Sequence, residues 1–205
     1  SLAAALPGLT RVAAYASPKS LAAKSRQELE QLRDRKLRLL YFGLESGDGE
    51  TLRLAGKGFT AGEMLGHCQK AQQAAMKLSV TAVLGLAGKA RSVEHAEATA
   101  AWISALSPRY FSLLTLMRGG NDGYFSLIEP LTNGAILGEA LHMVRRLEPR
   151  GTILRSDHVS NLLFLSGTYP KDRHRIIAQA EAALQEAARH PRWFRETADD
   201  RSEFY

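Results

Sequence analysis

The sequence is short of cysteine: it has one, Cys68, in 205 residues. A lone thiol forms no disulfide within the chain. It cannot by itself hold a zinc ion or an iron–sulfur cluster, which take several cysteine or histidine ligands, so no metal site is expected in this chain. Long apolar runs are missing too: nothing approaches the roughly 20 residues that cross a bilayer. The opening residues, Ser1 to Pro7, lack the basic start of a secretory leader. The expectation is a cytoplasmic protein with no membrane partner. Aromatic residues make up 7% of the chain, and its excess of six positive charges, 27 basic against 21 acidic, is spread along it. A nucleic-acid surface more often clusters such charges with aromatics, so nucleic acid is not the expected partner. The densest basic stretch, residues 33–38, contains Asp34 and reads either as a solvated helix end or as a phosphate patch. Also missing are a Walker phosphate loop, a dinucleotide fingerprint, a Gly-x-Ser-x-Gly elbow and a His-Glu-x-x-His helix. The length falls short of the roughly 250 residues of a complete eight-stranded α/β barrel.

What is present is an alternation. Residues 11–16, 37–44, 78–86, 110–117 and 151–156 are short, apolar and rich in β-branched or aromatic side chains, as buried strands are. Between them lie helical stretches with start signals: Ser25 with Glu28 and Thr60 with Glu63 as capping boxes, Ser92 and Thr132 as caps. A short helix is expected near residues 49–55, and a final one from Pro170 to about His190. Five strands, each followed by a helix, require a mainly parallel sheet with right-handed crossovers. The expected fold is therefore α/β, a partial parallel (β/α) barrel. Trp193, Phe194, Phe204 and Tyr205 sit in a tail that can dock on the body.

In such folds function collects at the carboxyl ends of strands. One such end is Gly43-Leu44-Glu45-Ser46-Gly47-Asp48, where a carboxylate and a hydroxyl beside glycine suit a sugar; Ser46 and Asp48 equally suit a helix cap. Lys57, between Gly56 and Gly58, can reach back towards Glu45. The end formed by Leu84-Gly85-Leu86-Ala87-Gly88 suits main-chain contact with a flat ligand, or is a plain turn. The richest stretch is Arg155-Ser156-Asp157-His158-Val159-Ser160-Asn161. There Arg155 is the candidate for an anionic group, Asp157 and His158 an acid–base pair, and His158 and Asn161 polar guides; an internally bonded cap is the other reading. Arg118 opens a glycine-rich loop that can cover a ligand. His67 and Cys68, adjacent on a helix, diverge and do not share a metal. Cys68 reads as a buried small residue and His95 as a surface one.

The stretches KSRQELEQLRDRKLRLLYFGLESGDGETLRLAGKGFTAGEM and KLSVTAVLGLAGKARSVEHAEATA, with LTLM and LRSDHVSNLLFLSGTYPKD, resemble the radical S-adenosylmethionine (radical SAM) superfamily over residues 9–194. Within it they look like an iron–sulfur oxidoreductase subgroup related to the oxygen-independent coproporphyrinogen III oxidases and the elongator-type barrels. The resemblance implies a partial (β/α)6 barrel whose [4Fe–4S] cluster, held by a CxxxCxxC loop after the first strand, binds S-adenosylmethionine; one-electron reduction then yields a 5′-deoxyadenosyl radical. By the same resemblance, residues 1–147 hold the third to sixth barrel strands, and 148–205 form an extension packed on them. Glu45 and Ser46 match the position that meets the ribose or methionine moiety, and Lys57 one that reaches the cofactor carboxylate. Residues 84–88, with Gly85 and Leu86, match the adenine side, and Leu116 and Met117 lie on the strand whose main chain borders adenine. Thr81 stands where the coproporphyrinogen oxidases have an aspartate, and Tyr15 where they have a glutamate. CxxxCxxC is absent, so the chain is expected to be a fragment, inactive alone, whose cluster ligands lie upstream. The implied partners are a small-molecule or other substrate and a reductant such as flavodoxin or ferredoxin. A non-catalytic module that forms a homodimer through an open sheet edge is the other expectation.

Overall fold

The structure, a computed structural model, describes residue 6 and residues 8–197. Phe204 and Tyr205 of the tail, and most of residues 1–7, lie outside the described residues. Among the described residues six strands form one sheet in sequence order: β1 (Val12–Ala16), β2 (Leu37–Glu45), β3 (Lys77–Leu84), β4 (Tyr110–Thr115), β5 (Ile153–Arg155) and β6 (Ser166–Thr168). The first five are parallel, and β6 is antiparallel to β5. Helices fill the crossovers: α1 (Pro18–Ala22), α2 (Arg26–Asp34), α3 (Gly49–Leu54), α4 (Ala61–Gln73), α5 (Ser92–Leu106), α6 (Asp122–Phe125) and α7 (Asn133–Arg146); α8 (Arg173–Ala188) follows β6. None of the described helices is long and apolar enough to cross a membrane.

The α/β class and the parallel order are as the sequence implies. Both capping boxes form: Ser25 and Glu28 start α2, and Thr60 and Glu63 start α4. Three details differ. Strand β5 runs into β6 instead of a helix, through residues 156–165. Ser17 caps a helix, α1, that the sequence reading closes as a turn. Ser92 is the first helical residue of α5 and caps nothing; its hydroxyl goes to Glu139.

Alternation along the strands sorts the two faces of the sheet. Leu40, Phe42 and Leu44 of β2 and Leu78, Val80, Ala82 and Leu84 of β3 are buried in the core with Met64 and Cys68 of α4 and Trp102 of α5. Phe42 stacks on Trp102, their ring centroids 6.5 Å apart. The opposite face is less covered. Tyr15 is 91% exposed and lies against Tyr41, 40% exposed, while Thr81, Val83, Ser112 and Leu114 are half-buried. This inner face leads up to the carboxyl ends of β2, β3 and β4.

Candidate functional site

Strand β2 ends on a break. Its pairing with β3 slips between Gly43 and Glu45, and Glu45 takes a left-handed φ of 66°. A non-glycine residue there costs conformational energy of order 1 kcal/mol. The bend turns the carboxylate back over the strand, where Lys57 Nζ donates to Glu45 Oε1 at 3.1 Å. Gly43 makes this possible: a Cβ there would overlap Glu45 Oε1 and stand 3.5 Å from Lys57 Nζ. The two side chains are 31% and 17% exposed, so the pair is shielded yet reachable. Gly43, Glu45 and Lys57 form one unit at the strand end, with Lys57 reaching back as its position in the sequence suggests.

Ser46 points the other way. It is fully buried; its Oγ accepts from Asp48 N–H and lies 2.8 Å from His95 Nδ1. Any ligand contact at this position falls to the main chain. Asp48 caps α3 through Thr51 and is gripped by Arg91 Nε and Nη2 at 2.9 and 2.7 Å. The guanidinium holds the Asp48 carboxyl well below the usual range. The capping reading of Ser46 and Asp48 therefore describes their side chains. His95, expected on the surface, is fully buried: burial holds its imidazole down to about 4, with the Asp48 charge opposing. The sequence around it gives no hint of this, because its partner Ser46 lies 49 residues away.

At the end of β3, Gly85 has φ 79°. Its N–H donates to Oε1 of Glu139 at 2.7 Å, and Ser92 Oγ holds the other carboxyl oxygen. Leu86 is buried, and its carbonyl accepts from Tyr124 Oη at 2.8 Å. Thr81 is half-buried on the inner face, opposite Gly43 on β2 and Ser112 on β4. Leu116 N–H donates to Leu84 O, which extends the β3–β4 ladder by one residue, and Leu116 and Met117 are half-buried beyond β4.

The loop after β5 is mostly spent on the fold. Asn161, 8% exposed, accepts from Thr115 Oγ1 at 2.9 Å and donates to Leu113 O at 2.7 Å. Ser160 Oγ accepts from Thr115 N–H and lies 2.8 Å from His158 Nδ1. This is the internally bonded cap, and it engages the Asn161 side chain with Thr115 and Leu113. The reason is the short β5, which leaves the end of β4 to be completed by side chains. Asp157 and His158 are exposed, and Arg155 stacks over Tyr110, 5.5 Å from its centroid. An Asn161→Ala protein should lose about 2 kcal/mol, since the Thr115 hydroxyl and Leu113 carbonyl lose their buried partner. A thermal melt within a degree of the parent would contradict this.

Cys68 is fully buried on α4, and desolvation pushes its thiol up to about 12. It is unsuited to bind a metal. Among the described residues no group of three or more His, Cys, Asp or Glu side chains is placed to hold a metal ion.

No family model matches the sequence, and no curated protein matches it. Among solved structures the chain is similar to Elp3 of the archaeon Methanocaldococcus infernus, determined with residues 1–46 deleted. The TM-score is 0.57 at 13% identity; the match covers 88% of this chain and 42% of that one, so this chain spans less than half the length of that protein. A likeness at this identity speaks for the fold: an α/β protein whose mainly parallel sheet forms a partial barrel.

Proposed function

We propose that the chain is the carboxy-terminal part of a radical SAM oxidoreductase and supplies one side of its S-adenosylmethionine site. The observation that carries this reading is the Gly43–Glu45–Lys57 unit. Backbone strain and a missing Cβ are used to set a carboxylate and an ammonium, half-shielded, at the mouth of the uncovered sheet face. Those charges suit the ligand: a carboxylate accepts from ribose hydroxyls or an amino group, and an ammonium meets the methionine carboxylate. Gly85, Leu86 and the main chain at Leu116 and Met117 would border the adenine, with Thr81 beneath. The Elp3-like fold supports the superfamily and does not choose a subgroup. When bound beside a reduced cluster, S-adenosylmethionine supplies one-electron hydrogen abstraction. The cluster does not fit the residues of this chain, whose one cysteine is buried, so its ligands would come from outside these 205 residues. Arg155, Asp157 and His158 remain the candidates for substrate contact, and a flavodoxin or ferredoxin for the electron donor.

The test is calorimetric titration of S-adenosylmethionine into the protein. Glu45→Gln and Lys57→Met should each weaken binding about tenfold or more, the value of a charge-assisted contact. Equal affinity in all three proteins, or none in the parent, would overturn the reading. A version extended upstream to include a CxxxCxxC segment should cleave S-adenosylmethionine under dithionite.

A second reading rests on β1, which among the described residues pairs only with β2 and carries the 91%-exposed Tyr15. An open edge with an exposed aromatic suits self-association. Sedimentation at rising concentration should then show a dimer that Tyr15→Lys abolishes; a monomer throughout removes this reading.

A further inference from the structure

The ends of β2 and β3 are joined beneath the surface by a line of polar groups whose buried side chains the proposed site does not itself use. It starts at Asp48 N–H, which donates to Ser46 Oγ, and Ser46 Oγ meets His95 Nδ1 at 2.8 Å. His95 Nε2 stands 3.7 Å from Glu139 Oε1, and that oxygen takes the N–H of Gly85 at 2.7 Å. Ser46, His95 and Glu139 are 0%, 0% and 3% exposed. Four elements contribute: the turn after β2, α5, α7 and the turn after β3.

Hydrogen-bond accounting fixes the imidazole's proton. Ser46 Oγ already accepts from Asp48 N–H, and its own proton needs a buried acceptor. His95 Nδ1 is that acceptor, which leaves the imidazole proton on Nε2. Among the described residues Nε2 has no hydrogen-bond partner, and it faces Glu139. A buried donor without an acceptor is costly. So is a buried carboxyl, and packing alone would be served as well by leucine. The two irregularities answer each other across 3.7 Å.

The donor that Glu139 holds is distinctive. The β3–β4 ladder pairs residues up to Leu84 with Thr115, and Gly85 is the next residue, already at φ 79°. Its N–H lies beyond the last ladder pair, where the chain turns across the sheet end. Glu139 provides the acceptor there. We propose that Glu139 is a positioning residue: with Ser92 and His95 it pins the Gly85 turn and couples it to the Ser46 end of β2, which sets the two strand ends that face the ligand in mutual register. This rests on the reading that those ends face S-adenosylmethionine. The groups facing Glu139 are the Gly85 N–H from the end of β3 and Ser92 and His95 from α5; Asp48, itself paired with Arg91, stands behind His95. Burial pushes the Glu139 carboxyl up to about 7, against the two donors. The brace can thus carry or lack a proton near neutrality.

The experiment uses the whole chain, labelled with 15N, as the parent and as Glu139→Gln and Glu139→Leu. The Gly85 amide should titrate in the parent with a midpoint near pH 7, stop titrating in E139Q, and move upfield in E139L. With S-adenosylhomocysteine as probe, E139Q should bind within about threefold of the parent and E139L about tenfold more weakly. A merely space-filling Glu139 predicts neither the titration nor the rescue by glutamine. A Gly85 amide unmoved in E139L, or equal affinity in E139L and the parent, overturns the proposal. If no protein binds the probe, the S-adenosylmethionine reading falls, and the Gly85 amide alone decides the brace. Should E139L not fold, Ser92→Ala replaces it. Loss of that donor should raise the Gly85 midpoint, and an unchanged midpoint overturns the proposal.

Discussion

A Gly47→Ala protein is expected to lose about 3 kcal/mol of stability and to melt roughly 6 to 12 °C below the parent. The change adds one methyl group, and its cost comes from where that group lands. Gly47 sits in the turn between β2 and α3, pressed against the backbone of α5. A Cβ there would run into the main-chain carbonyl of Ala98 and lie 2.6 Å from Thr99 N. These are backbone atoms in the middle of a helix, so no rotamer change relieves the overlap. The contact is also fastened, since Gly47 N–H donates to Thr99 Oγ1 at 2.9 Å. Relief requires the turn and α5 to separate, which breaks that bond and pulls Ser46 from His95. Thr99→Ala removes the fastening without adding volume and should cost about 1 kcal/mol. A Gly47→Ala melt within 2 °C of the parent would show that the turn yields where the packing says it cannot. Because Glu45 lies two residues upstream, the same variant should also weaken the S-adenosylmethionine binding proposed above.

The helix starts were legible in the sequence because a capping box is local: serine or threonine and a glutamate three residues on contain the whole interaction, as at Ser25 and Thr60. The parallel strands were legible as short apolar runs, although one face of the sheet is left partly exposed. The Glu45–Lys57 pair was within reach for a similar reason, since only the short α3 separates the two. What escaped is non-local or faint. Strand β6 is Ser-Gly-Thr, with no hydrophobic signal, and is held by the register of β5 and by Asp172, which accepts from Thr168 N–H. His95 follows a glutamate in a polar-looking helical stretch, and only Ser46, from a different crossover, explains its burial. Glu139 in LGEAL carries no local signal, because its partners Gly85 and Ser92 are 54 and 47 residues away. Asn161 is a polar residue after a strand end, and a sequence does not say whether such an amide faces a ligand or, as its hydroxyl and carbonyl partners on β4 show, the unfinished end of β4.

The opposite shifts of buried His95 and Glu139 should cancel in the parent's stability between pH 4.5 and 6.5, and each single variant should expose a slope that the other residue hides. Folding raises the Glu139 carboxyl from its ordinary 4.5 to about 7. The folded state then keeps a proton that the unfolded chain has released. Its contribution is complete below pH 4.5 and is lost as the pH rises through about 7. His95 shifts the other way, from 6.5 down to about 4. The unfolded chain binds a proton that the folded one refuses, so this contribution is complete above pH 6.5 and is lost as the pH falls through about 4. The windows overlap between pH 4.5 and 6.5, where one titrating proton of each sign gives slopes of about 1.4 kcal/mol per pH unit that cancel. Glu139→Gln removes the falling limb, so stability relative to the parent should rise by about 3 kcal/mol between pH 4 and 7. His95→Asn keeps an acceptor for the Ser46 hydroxyl and removes the rising limb; its stability relative to the parent should fall by a similar amount over that range. Urea unfolding at half-unit steps, taken as differences from the parent, cancels the other carboxylates, Asp48 among them. Opposite slopes in the two variants are the signature of the pair. Parallel profiles would mean that the two groups do not titrate in the folded protein as their burial requires.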